Sequence, residues 1–230
     1  MTSDPKTITL SLLFGIIPSL LWLWFWLRED KKNPEPKGIL AGVFFLGMMA
    51  VVFVLPIQQF IKENITSYHS QVVLWATAEE IIKYIAVIII IRKTNLIDEP
   101  VDWPIYLMTS ALGFASLENV MFLIKPLSYE PIMIGLLTGQ LRFLGSTLLH
   151  TISSGILGIS LGLSFFSTKF RKKINLLIGL ILAVSLHSLF NFFIIEGANV
   201  DIARTLGFLW LTAVIVMLLF EKLKRMGEVN

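Results

Sequence analysis

Two adjacent carboxylates and a lysine stand inside an apolar run, in Trp75-Ala-Thr-Ala-Glu79-Glu80-Ile-Ile-Lys83-Tyr84, where the flanking residues from Ser70 to Ile91 otherwise read as a membrane span. A charge at the centre of a bilayer costs at least about 2.5–3.5 kcal/mol on insertion scales. Such groups persist where they pair, bind an ion or do chemistry. Glu79 and Lys83 lie four apart on one helical face and can pair. One carboxylate is then left over, and that surplus group is the first candidate for a functional site.

The rest of the chain supports the membrane reading. Of its 230 residues 55% are hydrophobic and only 15% charged, against about a quarter charged in soluble domains. Runs of about 20 apolar residues mark spans, here near 8–27, 38–60, 70–91, 103–124, 146–167, 174–195 and 205–221. The expected fold is all-α, a polytopic transmembrane helix bundle of about seven spans. The segment 131–145 is apolar but carries Arg142 and three glycines, and it reads as a re-entrant or interfacial helix. Residues 1–230 are expected to form a single integral membrane domain, since no stretch outside the spans is long enough for a soluble one. The first apolar run lacks a small-residue cleavage site and reads as a span, with no cleavable signal.

Orientation comes from the basic residues. Arg28, Lys31, Lys32 and Lys37 follow the first span, Arg92 and Lys93 the third, Lys169, Arg171, Lys172 and Lys173 the fifth, and Lys222, Lys224 and Arg225 the last. The opposite loops are poor in Lys and Arg. The N-terminus is therefore expected outside and the C-terminus in the cytoplasm, with 131–145 not crossing. The net charge of +3 sits in these short loops and is no nucleic-acid signature.

The ionisable residues within the spans are Glu79, Glu80, Lys83, Glu118, His150 and His187, with Arg142 near the outer face. At the helical rise per residue they share one level in the outer half of the bilayer, between about 6 and 15 Å from the outer span ends. A common depth points to one polar site open to the outside. Glu118, His150 and His187 form a plausible ligand set for a divalent metal, with zinc the expected ion. A carboxylate beside them, Glu79 or Glu80, can act as general base on a bound water. Asn119 adjoins Glu118, and Asn191 shares a helical face with His187. Singly, each has a plainer explanation: buried histidines are usually hydrogen-bonded core residues, and amides glue helices together. Gly158-Ile-Ser-Leu-Gly162 and Gly135-Leu-Leu-Thr-Gly139 read as close-packing motifs.

Several chemistries are excluded. There is no cysteine, hence no thiolate nucleophile or ligand. The three histidines, His69, His150 and His187, form no His-Glu-x-x-His motif. The five aspartates, Asp4, Asp30, Asp98, Asp102 and Asp201, fall in loops or termini, against a membrane aspartyl dyad. Ile152-Ser-Ser-Gly155 lacks the first glycine of a membrane serine-protease motif, and its serines read as packing residues.

Glu79-Glu80-x-x-Lys83, Phe114-Ala115-x-x-Glu118-Asn119, Arg142 with His150, and His187-x-x-x-Asn191 stand in this order over residues 70–195. In these motifs the chain resembles the PrsW family of intramembrane proteases, which is similar to the wider CAAX-protease and bacteriocin-processing group. Lys83 stands one position before that group's arginine, and Glu118 stands where it has a histidine. The resemblance implies an endopeptidase that cuts membrane-anchored proteins on the outer side, anti-sigma factors among them, by a metal-dependent or glutamic mechanism. Glu79, Glu80, Asn119, Arg142 and Asn191 are the expected catalytic residues, and Glu118, His150 and His187 the expected metal ligands. A proton- or ion-coupled carrier, or a non-catalytic membrane scaffold of the same fold, is the alternative. The inner halves of the spans hold almost no polar residues to continue an ion path.

Overall fold

A computed structural model describes residues 4–29, 33–92, 94–195 and 202–228. Among them the regular structure is entirely helical. The helices are α1 (Pro5–Glu29), α2 (Lys37–Asn64), α3 (Tyr68–Ile91), α4 (Asp102–Tyr129), α5 (Ile132–Leu141), α6 (Leu148–Leu163), α7 (Lys169–Ile195) and α8 (Ile202–Glu228), with a π-helical segment, Arg142–Thr147, joining α5 to α6. The expected positions Asp30, Lys31, Lys32, Lys93 and Asp201 lie outside the described residues.

Among the described residues six helical stretches are long and apolar enough to cross a membrane, and this is a multi-pass membrane protein. They are α1, α2, α4, the continuous stretch Ile132–Leu163, α7 and α8. Helix α3 has the length, 24 residues, but carries Glu79, Glu80 and Lys83. It packs between α2 and α7, so these charges face protein and not lipid.

The helix foreseen near 131–145 exists as α5, but no loop sets it apart from α6. The combined stretch of 32 residues is about 48 Å long, well over the ~30 Å of hydrocarbon a span must cross. Its first turns run back along the end of α4, where Gly135 lies against Leu127.

Helix α4 is the centre of the bundle. It packs on α1, α2, α3, α5 and α6, and is buried along most of its length. Its small residues allow this: Gly113 lies against the backbone of Phe44, and Gly47 of α2 lies against the backbone of Ser110. A side chain at either glycine would push the two backbones apart, the logic of small-residue packing in membranes. The same logic holds α6 to the start of α4, with Gly158 against Pro104 and Gly162 against Pro100. Asp102, expected in a loop, opens α4, where its buried Oδ2 accepts the backbone N–H groups of Asp98 (2.8 Å) and Glu99 (2.7 Å). With α2, α4, α6 and α7 around it, the middle of α3 faces groups from four elements.

Candidate active site

Glu80 is fully buried and fully satisfied. Its Oε1 accepts Lys83 Nζ at 2.8 Å and lies 2.9 Å from His187 Nδ1, while its Oε2 accepts the hydroxyl of Ser154 at 2.7 Å. Lys83 thus takes the partner three residues away, and Glu79 stands off at 3.9 Å. The surplus carboxylate is Glu79. Ser154, expected to be mere packing, hydrogen-bonds the buried charge.

Lys83 also reaches His150 Nδ1 at 2.8 Å and lies 4.6 Å over the ring of Phe114. An ammonium has protons to give and no lone pair. Nδ1 of His150 is therefore the acceptor, and its Nε2–H points to Glu118 Oε2 at 3.1 Å. By the same reasoning Glu80, a carboxylate, fixes the proton of His187 on Nδ1. The lone pair of His187 Nε2 then faces Glu79 Oε2 at 3.6 Å. The two imidazoles meet edge to face with centroids 4.9 Å apart.

Glu79 accepts a hydrogen bond on Oε1, from Gln58 Nε2 at 2.8 Å. Its Oε2 is buried without a hydrogen-bond partner among the described residues. A buried acceptor in that state is costly and is ready to receive a water or an ion.

Glu118 is held from the other side. Arg142 Nη2 donates to its Oε2, and Arg142 Nε donates to Asn119 Oδ1 at 2.5 Å. Asn119 in turn donates to Thr147 at 2.8 Å, and Arg142 Nη2 to Ser146 at 3.0 Å. Arg142, Ser146 and Thr147 all belong to the π-helical segment. Inserting such a turn re-aims side chains within a helix and is frequent at functional sites. Asn119 therefore orients Arg142, with both ends of its amide engaged inside the scaffold.

These groups border a cavity of about 1100 Å³. Glu79, Glu118, His150, His187 and Asn191 line its polar part, and Gln59, Lys62 and Glu63 line it toward the α2–α3 turn. Leu55, Trp75, Phe122 and Phe190 supply apolar walls. All eight expected site residues are in this region. Arg142 borders the cavity with the five polar groups just named, Asn119 sits behind Arg142, and Glu80 sits behind His187.

The metal question is one of donors and spacing. Glu79, His150 and His187 each offer one ligand atom, and these atoms lie within 4.8 Å of one another. Tetrahedral zinc bonds of ~2.1 Å imply ligand atoms about 3.4 Å apart. A contraction of up to about 1.4 Å would meet that. His187 Nε2 is presented with a carboxylate behind the ring, the usual support of a metal-bound histidine. His150 Nδ1 now accepts Lys83, which would have to yield that nitrogen to an ion. The group fits a divalent metal on these terms. Glu118, expected among the ligands, reaches His150 and is clamped by Arg142.

Gln58, Ser154 and Thr147 are the participants that sequence reasoning passes over. The available signal for Gln58 was its position, a polar amide in an apolar helix two residues after Pro56.

Residues 35–220 match the family described as PrsW family intramembrane metalloprotease. Protease PrsW of Oceanobacillus iheyensis is 28% identical over 219 residues, covering 93% of this chain and 94% of the relative. Protease PrsW of Bacillus subtilis is 27% identical over 188 residues, covering 80% and 83%. Protease PrsW of Clostridioides difficile is 27% identical over 188 residues, covering 78% and 77%. No solved structure matches the chain.

Proposed function

The chain belongs to the PrsW family of intramembrane proteases, and from that premise we propose that it hydrolyses a peptide bond of a membrane-anchored protein with a water held at Glu79. One observation carries the reading: among the described residues Glu79 Oε2 is a buried, unpartnered acceptor beside an open cavity, 3.6 Å from Nε2 of His187.

Glu79 Oε2 accepts a proton of the water as its oxygen attacks the substrate carbonyl. The proton then passes to the departing amine as the C–N bond breaks. General-base help of this kind contributes typically 10²–10⁴ in rate. Asn191, one helical turn beyond His187 and on the cavity wall, supplies an amide donor for the developing oxyanion. Glu80 and Lys83 hold His187 and His150 in their tautomers. Arg142 holds Glu118 against His150 and lines the mouth of the site, where it steers the substrate backbone. A divalent ion, zinc by this donor chemistry, would be held by His150 and His187 with Glu79 or Glu118, and would supply a water of lowered pKa and polarise the carbonyl.

Membrane-anchored regulators, anti-sigma factors in particular, are the proposed substrates. The cavity is proposed to face the outer side of a bacterial membrane, with the C-terminus in the cytoplasm, because the basic residues cluster at the opposite helix ends.

The test uses the full chain in lipid vesicles with a panel of single-span bacterial anti-sigma proteins, reading new termini by mass spectrometry. Wild type should cut and Glu79→Gln should not, while still folding and binding the same substrate. A Glu79→Gln protein that cuts at the wild-type rate would falsify the proposal. Metal content of the inactive variant assigns Glu79: retained metal makes it the base, lost metal makes it a ligand.

A further inference from the structure

We infer that Gln58 is a positioning residue for the hydrolytic step, aiming the carboxylate of Glu79 from a neighbouring helix; this rests on the hydrolytic reading above. A glutamate has three rotatable side-chain bonds, and Glu79 borders a large open cavity. Its charged neighbours do not fix it. Lys83 Nζ and His150 Nδ1 each stand 3.9 Å from its Oε2 and are engaged with one another, and His187 Nε2 stands at 3.6 Å. The hydrogen bond that holds the carboxylate is Gln58 Nε2 to Oε1, at 2.8 Å. With Oε1 held, Oε2 is the oxygen presented to His187 and the cavity.

Gln58 is itself anchored. Trp75 Nε1 donates to the backbone oxygen of Gln58 at 3.0 Å. Trp75 lies one helical turn before Glu79 on the same face of α3. The indole thus ties α2 to α3 at the level where the amide meets the carboxylate, two residues after Pro56. The indole anchors the backbone of Gln58, and the side-chain amide of Gln58 holds Oε1 of Glu79, so the arrangement across two helices leaves Oε2 as the reactive oxygen. A misplacement of about 1 Å in such a site costs on the order of 10²-fold in rate.

The test is Gln58→Met, which keeps length and removes the donor, assayed in vesicles with the anti-sigma protein that wild type cuts fastest. The expected result is a kcat lower by about 10- to 100-fold with KM within about twofold, because the amide acts on the catalytic group and not on substrate affinity. Trp75→Phe, which keeps an aromatic wall but loses the anchor, should lower kcat by a smaller factor and guards against poor folding of the first variant. A second readout needs no substrate: in isotope-edited infrared spectra, the carboxyl band assigned by its loss in Glu79→Gln should move in Gln58→Met. An unmoved band, or a wild-type kcat in Gln58→Met, overturns the inference. If Glu79→Gln also cuts normally, the hydrolytic reading fails instead.

Discussion

Replacing Lys83 by Met tests how the buried charges are held. The lysine side chain is wholly buried, 2.8 Å from both Glu80 and His150. Removing one member of a buried ion pair typically costs 3–5 kcal/mol, because the other charge is left uncompensated. Glu80 would keep His187 and Ser154 as hydrogen-bond partners, so the lower end, about 3 kcal/mol, is expected. Neutralising both members should recover much of this. Lys83→Met with Glu80→Gln leaves no stranded charge, and replacing both members of a buried pair is often near neutral. The expected cost of the double variant is about 1–2 kcal/mol, mainly from hydrogen bonds that the amide cannot reproduce. The cycle should therefore show a coupling of about 2 kcal/mol or more. Equilibrium unfolding in mixed micelles, followed by tryptophan fluorescence, gives the four stabilities. A coupling below about 0.5 kcal/mol, the ordinary scatter of independent sites, would refute the account of Lys83 as the counter-charge of Glu80.

Three further outcomes are expected. His187→Ala and His150→Ala should each lower the metal content of purified protein measured by mass spectrometry, and a strong chelator should abolish cleavage; full activity of metal-free protein would leave the reaction to the carboxylate and imidazoles alone. Single cysteines introduced into this cysteine-free chain should be labelled from outside at Ser128 and from the cytoplasm at Thr168, and the reverse pattern would invert the orientation. At the other end of the bundle, burial raises the pKa of Glu35, although its bond with Tyr106 works the other way, and Asp98, Glu99 and Asp102 face it. A carboxyl raised on folding favours the folded state at acid pH and loses that contribution as pH rises through the raised value; Glu35→Gln should flatten this pH dependence of unfolding.

Much of the site is legible in the sequence for a definite reason. Glu79, Glu80, Glu118, His150 and His187 are conspicuous because ionisable groups in apolar runs are expensive, and the helical rise alone places them at one level. The pairing within the cluster is not legible. Glu79 and Glu80 are both within helical reach of Lys83, and spacing favours neither strongly. What decides is the position of Ser154 on α6 and His187 on α7, both of which meet Glu80. Those contacts span 74 and 107 residues and depend on how three helices pack. The continuity of 131–145 with α6 escapes for a similar reason, since Arg142 and Gly145 suggest a break where a π-helical turn carries the chain on.

The supporting residues escape for another reason. Neutral hydroxyls and amides cost less to bury than charges, so Gln58, Ser154 and Thr147 do not stand out by burial cost. Their importance appears once each charged atom is asked for its partners. Glu80 is complete only with Ser154, Arg142 is braced through Asn119 only because Thr147 receives the amide, and the hydrogen bond on Glu79 comes from Gln58. In a site whose charges are held by shared partners, the neutral donors decide which carboxylate oxygen stays free. Here that oxygen is Oε2 of Glu79, and the groups that leave it free lie on α2, α6 and α7 as well as on α3 itself.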